Sequence, residues 1–336
     1  MPRVTPQVIC LGEALIDLLA HEVGVPYEKV TGWQPELGGA PANVACGLAR
    51  LGTSVAFVGC VGQDEAGKQL FDALHERGVD TRGLKVLPEA TTRQVYVTRG
   101  AKGERQFVKF NDTKNDTKPN LPFADTLLTA DAVPESLFVD ADFLVLGTNA
   151  LSSEESSRAV GRALKLAEKH FVRVVVDLNW RPMFWQDTEQ AMRVIPVLLR
   201  HADFLKVSLD EAQSVLRLNS PAAIVQAFNQ LEGVIVTNGA KECRYYLGER
   251  QSRQTTFNVN PIDTTGAGDA FVAGFLHQLS QMPLQNLEDP VTAHGVVRYA
   301  SAAAALTTLG KGAIQPQPTH AQVMAFLGAH TGNISG

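Results

Sequence analysis

Short, unbroken apolar runs recur along the chain at intervals wide enough to hold a helix. Val8-Ile9-Cys10-Leu11-Gly12, Val55-Ala56-Phe57-Val58-Gly59, Phe143-Leu144-Val145-Leu146-Gly147, the run from Val172 to Asp177, Asp203-Phe204-Leu205-Lys206-Val207 and Val234-Ile235-Val236-Thr237 each read as a strand buried on both faces. Helix-periodic stretches lie between them. Val44, Ala45, Leu48 and Leu51 mark the inner side of a helix ending near Gly52, and further helices are expected over 67–77 and 155–169. This alternation predicts a doubly wound α/β architecture with a parallel sheet. The first strand is expected to run on through Glu13-Ala14-Leu15-Ile16-Asp17, with two acids at its carboxyl end, where open parallel sheets bind ligands.

Two stretches break the rhythm. Residues 21–35 are polar and dotted with Gly and Pro, too long for a tight turn and without helical periodicity. Thr92–Thr98 and Gln106–Phe110 alternate polar and apolar positions around Gly100-Ala101-Lys102-Gly103, a hairpin signature whose apolar face needs a cover. Together they predict a small β unit set off from the main sheet. Asn111-Asp112-Thr113-Lys114 is repeated at once as Asn115-Asp116-Thr117-Lys118, which reads as a polar loop. Farther on, 243–247 and 253–259 read as an antiparallel pair. An Ala-rich helix over 291–306 follows, whose Ala300, Ala302, Ala303 and Ala304 permit close approach, and then a last helix over 320–327.

Composition narrows the class. With 336 residues and 45% apolar content the chain can bury a large core. A net charge of -5 without a clustered basic face argues against nucleic acid or an anionic membrane as partner and favours a small molecule. Cys10, Cys46, Cys60 and Cys243 lie far apart without a CxxC pair, implying neither zinc site nor disulfide framework, and reduced thiols fit a cytoplasmic protein. No apolar run approaches the roughly 18 residues of a spanning helix, so neither export nor membrane anchoring is expected. The scattered histidines form no HExxH and are assigned to no metal.

The densest chemistry lies at Asp263-Thr264-Thr265-Gly266-Ala267-Gly268-Asp269, directly before the apolar run Ala270–Leu276. Small residues where a loop becomes a helix leave backbone N–H groups free to hold an anion, and Asp269 beside them is placed to take a proton from a hydroxyl about to become a nucleophile. The stretch reads as a phosphoryl-transfer centre, or, more plainly, as a helix cap after a Gly-rich turn. Near the amino end, Leu37-Gly38-Gly39-Ala40-Pro41-Ala42-Asn43 also opens a helix; Gly38 and Gly39 allow close approach of a ligand, and Asn43 offers donor and acceptor to hydroxyls. Asp17 is either a ligand for sugar hydroxyls or a solvated acid. Arg93 either reaches substrate or is a solvated strand arginine. Ser208-Leu209-Asp210-Glu211 is explained by helix capping, with a role near a metal-bound nucleotide as the sharper alternative.

Gly38-Gly39-Ala40-Pro41-Ala42-Asn43-Val44-Ala45 and Asp263-Thr264-Thr265-Gly266-Ala267-Gly268-Asp269-Ala270-Phe271, at this separation, resemble the paired signatures of the PfkB or ribokinase family of sugar and nucleoside kinases, and within it most nearly the bacterial fructokinases. The resemblance runs from Val8 to about Leu327. It implies a Rossmann-like, three-layer ribokinase-type α/β fold with a small β-sheet lid that closes over the sugar and often mediates dimerisation. The main domain would comprise 1–13, 38–88 and 113–330, and the discontinuous lid 14–37 and 89–112. It also implies Asp269 as base, with Gly266, Ala267 and Gly268 as anion hole. Asp17, Gly38, Gly39 and Asn43 would bind the sugar, and Asn179 and Arg181 match the family's polar strand-end segment. Ser208 and Glu211 occupy its Asn-x-x-Glu motif, associated with magnesium and phosphate, with Ser in place of Asn and Glu211 acting through water. Thr237 and Gly239 match a nucleotide-binding Thr-x-Gly turn, Glu242 standing where a further glycine is common, and Lys206 lies near the same strand end. Asp263 and Thr265, with backbone near Gly310, resemble a potassium site.

The expected activity is transfer of the γ-phosphate of Mg-ATP to a primary sugar hydroxyl, in first place the 6-hydroxyl of D-fructose. The alternatives are 2-keto-3-deoxygluconate, whose carboxylate Arg93 would neutralise, and ribose or a nucleoside. From another class comes a catalytically silent sugar-binding scaffold. A dinucleotide-dependent oxidoreductase is disfavoured because no GxGxxG follows the first strand, and P-loop kinases because no GxxxxGK[ST] is present. A homodimer through the lid is expected.

Overall fold

The structure, a computed structural model, describes residues 5–100, 105–111 and 121–330. Its strands in chain order are β1 (Val8–Leu11), β2 (Leu15–Val23), β3 (Trp33–Gly38), β4 (Val55–Gly62), β5 (Asp80–Leu87), β6 (Gln94–Arg99), β7 (Arg105–Phe110), β8 (Phe143–Gly147), β9 (Arg173–Asp177), β10 (Phe204–Ser208), β11 (Gly233–Thr237), β12 (Glu242–Leu247) and β13 (Arg250–Thr255). The helices are α1 (Ala40–Leu51), α2 (Glu65–Glu76), α3 (Glu154–His170), α4 (Thr188–Leu199), α5 (Leu209–Glu211), α6 (Pro221–Ala227), α7 (Ala267–Leu279), α8 (Pro290–Thr307) and α9 (His320–Ala329).

Among the described residues, nine strands form one sheet in the order β13-β12-β11-β10-β9-β8-β1-β4-β5. It is parallel from β11 to β5, with β12 and β13 added antiparallel at one edge. The apolar runs have their cause in the two cores that this sheet separates. On β1, Val8 and Cys10 pack into one core with residues of α1, α2, α7 and α8, while Ile9 and Leu11 pack into the other with residues of α3, α4 and α6. A strand with helices on both faces has no solvent side, so successive residues are all apolar. The Ala-rich stretch becomes α8, which approaches α7 so closely that a Cβ added at Gly274 would lie 3.0 Å from Ala300 Cα.

A separate four-stranded sheet has the order β3-β2-β6-β7. One expectation is corrected here. The first strand does not continue to Asp17: β1 ends at Leu11, and Leu15–Val23 forms β2 in the second sheet, because an apolar run cannot distinguish one strand from two joined by a turn. Residues 21–35, expected to belong to the small β unit, do so: they hold the end of β2, a single 3-10 turn at Tyr27–Lys29 and the start of β3. The hairpin strands are present, whereas its turn at 101–104 and most of the duplicated Asn-Asp-Thr-Lys segment lie outside the described residues. The inner face of the small sheet, with Leu15, Leu19, Val95 and Val97 buried, is covered within the chain by Phe110, Met183 and Phe184.

Candidate active site

Helix α7 begins at Gly266 in the left-handed region, φ 70°, where a Cβ would also lie 2.7 Å from Ala313 Cβ. Glycine is therefore required by both conformation and space. No side chain caps this helix, unlike α2, α3, α4 and α6. Ala267 N–H closes a turn on Thr264 O at 3.3 Å, and the third residue of the helix is Asp269. Helix α1 also begins at a glycine, Gly39, φ 97°, packed so closely that a Cβ would come within 2.5 Å of Glu13 O. Its Asn43 is 4% exposed and donates from Nδ2 to Asp269 Oδ2 at 2.8 Å. Gln317 Nε2 fixes Asn43 by donating to its backbone oxygen at 2.8 Å.

Behind this contact stands a buried ion pair. Lys206 on β10 and Asp177 on β9 are partners in the parallel register, so their side chains leave the same face. Lys206 Nζ donates to Asp177 Oδ1 at 3.0 Å and Oδ2 at 3.3 Å. The same ammonium lies 3.0 Å from where a Cβ on Gly268 would stand, so it abuts the turn that opens α7. Burial acts to lower the Lys206 pKa, but Asp177, Glu211 and Asp269 outweigh it and hold the group charged. Burial pushes Asp177 up to about 6 against the pull of Lys206. Asp269 is also raised by burial, an effect that Asn43, Lys206 and Arg181 oppose. A carboxylate with raised proton affinity beside an uncapped helix start is equipped to accept a hydroxyl proton while the helix end holds an anion.

On the amino-terminal side, Asp17 on β2 is 7% exposed, and its Oδ2 lies 2.9 Å from where a Cβ on Gly38 would stand. The structure thus gathers Asp17, Gly38, Gly39 and Asn43 around the start of α1. Arg93 is neither a solvated strand arginine nor an unpaired cation. It is 4% exposed, with Nε 2.8 Å from Asp125 Oδ2 and an Nη 3.1 Å from Oδ1. The rings of Phe110, Phe123 and Phe184 surround its guanidinium at 4.2 to 4.7 Å. Its charge is neutralised inside the protein and ties β6 to the main body.

Carboxyl ends of neighbouring strands supply the other side. Ser208 caps α5 and forms a capping box with Glu211, whose Oε2 accepts from Ser208 N at 2.9 Å and whose Oε1 accepts from Trp180 N at 2.9 Å. Arg181 lies 3.6 Å from Glu211 and is 37% exposed, and Asn179 before it has φ 36°. Thr237 ends β11 in register with Ser208, and the space beside Gly239, φ 52°, is open. Asp263 accepts from Thr265 N at 3.0 Å and Gly312 N at 2.9 Å, clasping two loops. Glu242 accepts from Arg244 Nε at 2.6 Å.

Four buried polar residues close to these groups were assigned no role of their own in the sequence reading. Asp177 and Glu13 carry a faint signal as acids at the ends of apolar runs. Asn149 and Asp125 carry none, since each acquires its meaning from a partner 136 or 32 residues away.

A model of the pfkB family of carbohydrate kinases matches residues 5–320. Among curated proteins, the chain is 34% identical to probable fructokinase-5 of Arabidopsis thaliana over 326 residues, covering 96% of this chain and 98% of that one. Among solved structures, it is similar to a fructokinase with bound ATP from Xylella fastidiosa, with a TM-score of 0.84, 30% identity and coverage of 96% and 98%. A fructokinase from Vibrio cholerae O395 with fructose, ADP and calcium ion bound aligns with a TM-score of 0.81, 30% identity and coverage of 96% and 99%.

Proposed function

The chain belongs to the pfkB family of carbohydrate kinases, and on that premise we propose that it transfers the γ-phosphate of ATP to D-fructose, giving fructose 6-phosphate. The observation that carries this reading is Asp269, set at the uncapped start of α7 and hydrogen-bonded to Asn43 at 2.8 Å. Full-length similarity to fructokinases, one with bound ATP and another with bound fructose, supports the choice of substrates.

In the proposed reaction, Asp269 accepts the proton of the 6-hydroxyl as that oxygen attacks the γ-phosphorus, whose bond to the β–γ bridging oxygen breaks to release ADP. The start of α7 at Gly266, Ala267 and Gly268 receives the developing charge, and Asp17, Gly38, Gly39 and Asn43 hold the sugar. Arg181, half-exposed next to Asn179, faces the phosphates, while Thr237 and Gly239 border the nucleotide. A divalent ion, magnesium in this proposal, would when bound neutralise charge on the phosphates. The Glu211 carboxylate is already engaged by two backbone N–H groups, so it fits a contact through water better than direct ligation. A potassium ion at Asp263 and Thr265 would rely on neighbouring backbone carbonyls, because Asp263 is already bonded to Thr265 and Gly312.

2-Keto-3-deoxygluconate is disfavoured on a specific ground: Arg93, the cation invoked for its carboxylate, is paired with Asp125. An ATP-coupled assay over fructose, 2-keto-3-deoxygluconate, ribose and a nucleoside decides the matter. Turnover on fructose with the highest kcat/KM is expected, and none on fructose overturns the reading. Binding of fructose without any phosphorylation would favour the silent scaffold.

The small sheet as a lid and dimer surface is part of the same proposal. Its outer face carries Trp33 and Tyr96, with ring centroids 4.8 Å apart, and Tyr27 5.5 Å from Tyr96. A dimeric mass by light scattering is expected; a monomeric mass at working concentration rejects it. A cytoplasmic location agrees with four buried free cysteines and with no helix among the described residues long and apolar enough to cross a membrane.

A further inference from the structure

In an open α/β sheet the ligand crevice opens where the strand order reverses. Here that point lies between β1 and β8, since β4 and β5 extend the sheet on one side and β9, β10 and β11 on the other. The two strands flanking it each deliver one polar side chain just past their carboxyl ends: Glu13 after β1 and Asn149 after β8. Both are 5% exposed, and Asn149 Nδ2 donates to Glu13 Oε1 at 3.1 Å. Two oxygens are left over. Glu13 Oε2 and Asn149 Oδ1 are buried without a hydrogen-bond partner; the amide oxygen is always an acceptor, and the carboxyl oxygen is one unless Glu13 carries a proton.

An ionised Glu13 would be poorly placed. The charged groups that face it are Asp125, from the segment after the small sheet, and Asp269 on α7, both of the same sign. The neighbouring α1 presents only the Gly39 turn, pressed against Glu13 O. The buried cations nearby are committed elsewhere, Arg93 to Asp125 and Lys206 to Asp177. A buried acceptor without a partner is costly, and a buried unpaired charge more so. One proton on Glu13 removes the buried charge and turns one of the two oxygens into a donor.

We propose that Glu13 is a positioning residue that works as a neutral carboxylic acid: its proton gives the Glu13–Asn149 pair a second donor beside Asn149 Nδ2, steadies the turn against Gly39 from which Asn43 is presented, and withholds a further negative charge from Asp269. Burial, reinforced by Asp125 and Asp269 and opposed by the Asn149 hydrogen bond, raises its pKa to about 7, so the neutral form prevails below neutrality and is lost on the alkaline side. The influence on Asp269 rests on the reading of that residue as the base; the protonation of Glu13 does not.

The experiment therefore has two arms on the full chain. In the first, infrared spectra of wild type and Glu13→Gln are subtracted. A protonated-carboxyl C=O band is expected in the difference between wild type and Glu13→Gln at pH 6, and is expected to vanish from that difference at pH 9, whereas the band of Asp177 is common to both proteins and cancels. No such band at pH 6 overturns the proposal, whatever the enzyme's substrate. In the second, kcat and KM for fructose with ATP and magnesium are followed against pH. Glu13→Gln, a neutral isostere, is expected to keep kcat within about threefold at pH 6 and to lack the wild-type decline on the alkaline side, whereas Glu13→Ala loses about tenfold or more in kcat with the ATP KM unchanged. Equal impairment of Glu13→Gln and Glu13→Ala at pH 6 would show that the carboxylate charge is needed and would overturn the proposal.

Discussion

Asn43 Nδ2 lies 2.8 Å from Asp269 Oδ2, although 226 residues separate the two in the chain. This contact joins the helix start expected to hold the sugar to the helix start expected to hold the transferring phosphoryl group. A hydroxyl bound as proposed would meet both.

Asp269→Asn keeps the shape and the neighbouring backbone but removes the proton acceptor. The expected loss in kcat is about 10²–10⁴-fold, with ATP affinity by calorimetry close to wild type. Near-normal turnover would remove Asp269 from its role.

Asn43→Ala acts on the same carboxylate through its proton affinity. Burial raises the Asp269 pKa, and the Asn43 hydrogen bond opposes that rise. Activity of a base is lost as pH falls through its pKa, so deleting the opposing bond should move the acid limb of kcat/KM to higher pH. An unmoved limb would mean that another group sets it.

Gly266→Ala puts a side chain where φ is 70° and where its Cβ would lie 2.7 Å from Ala313 Cβ. Backbone strain alone amounts to about 1–3 kcal/mol. Denaturant titration should show lower stability, with kcat falling as well because the start of α7 moves. Unchanged values for both would mean that the turn relaxes freely.

Arg93→Met leaves Asp125, 6% exposed, without its ion-pair partner. Breaking a buried pair from one side costs about 3–5 kcal/mol, and neutralising both partners typically recovers much of that. Chemical denaturation should therefore rank Arg93→Met below Arg93→Met/Asp125→Asn. The reverse order would show that Asp125 has another partner.

His277, farther along α7 than Asp269, governs a different pH dependence, that of stability. It contacts Thr53 Oγ1 at 2.8 Å and His320 Nδ1 at 3.1 Å, and burial with the His320 charge lowers its pKa to about 4. In the unfolded chain a histidine protonates near 6.5, so the unfolded state binds the proton first. Stability should be full above that value and decline as pH falls toward about 4. His277→Asn should flatten this decline in urea midpoints measured between pH 7 and 5, and an unchanged slope would assign it to other groups.

How far the sequence could be read depended on how local the cause was. The central strands were legible because both faces of each are covered, which forces unbroken apolar runs. Strand β5 was missed: it lies at the sheet edge, where Arg82 and Lys85 face solvent and interrupt the run. Helix α4 was missed as well, carrying Pro196 inside it and packing its apolar residues on only one side. Arg93 was misread because nothing near it in sequence announces Asp125 or the three rings.

What the sequence determined by itself was the layered α/β plan and the two glycine-led helix starts, since periodicity and backbone freedom are properties of neighbouring residues. Tertiary structure alone decided which groups share charge and protons. Asp269 meets Asn43, Lys206 meets Asp177, Arg93 meets Asp125 and Glu13 meets Asn149 only after strand order brings distant segments together. Burial then sets the proton affinity of each group, and burial is a property of the whole fold.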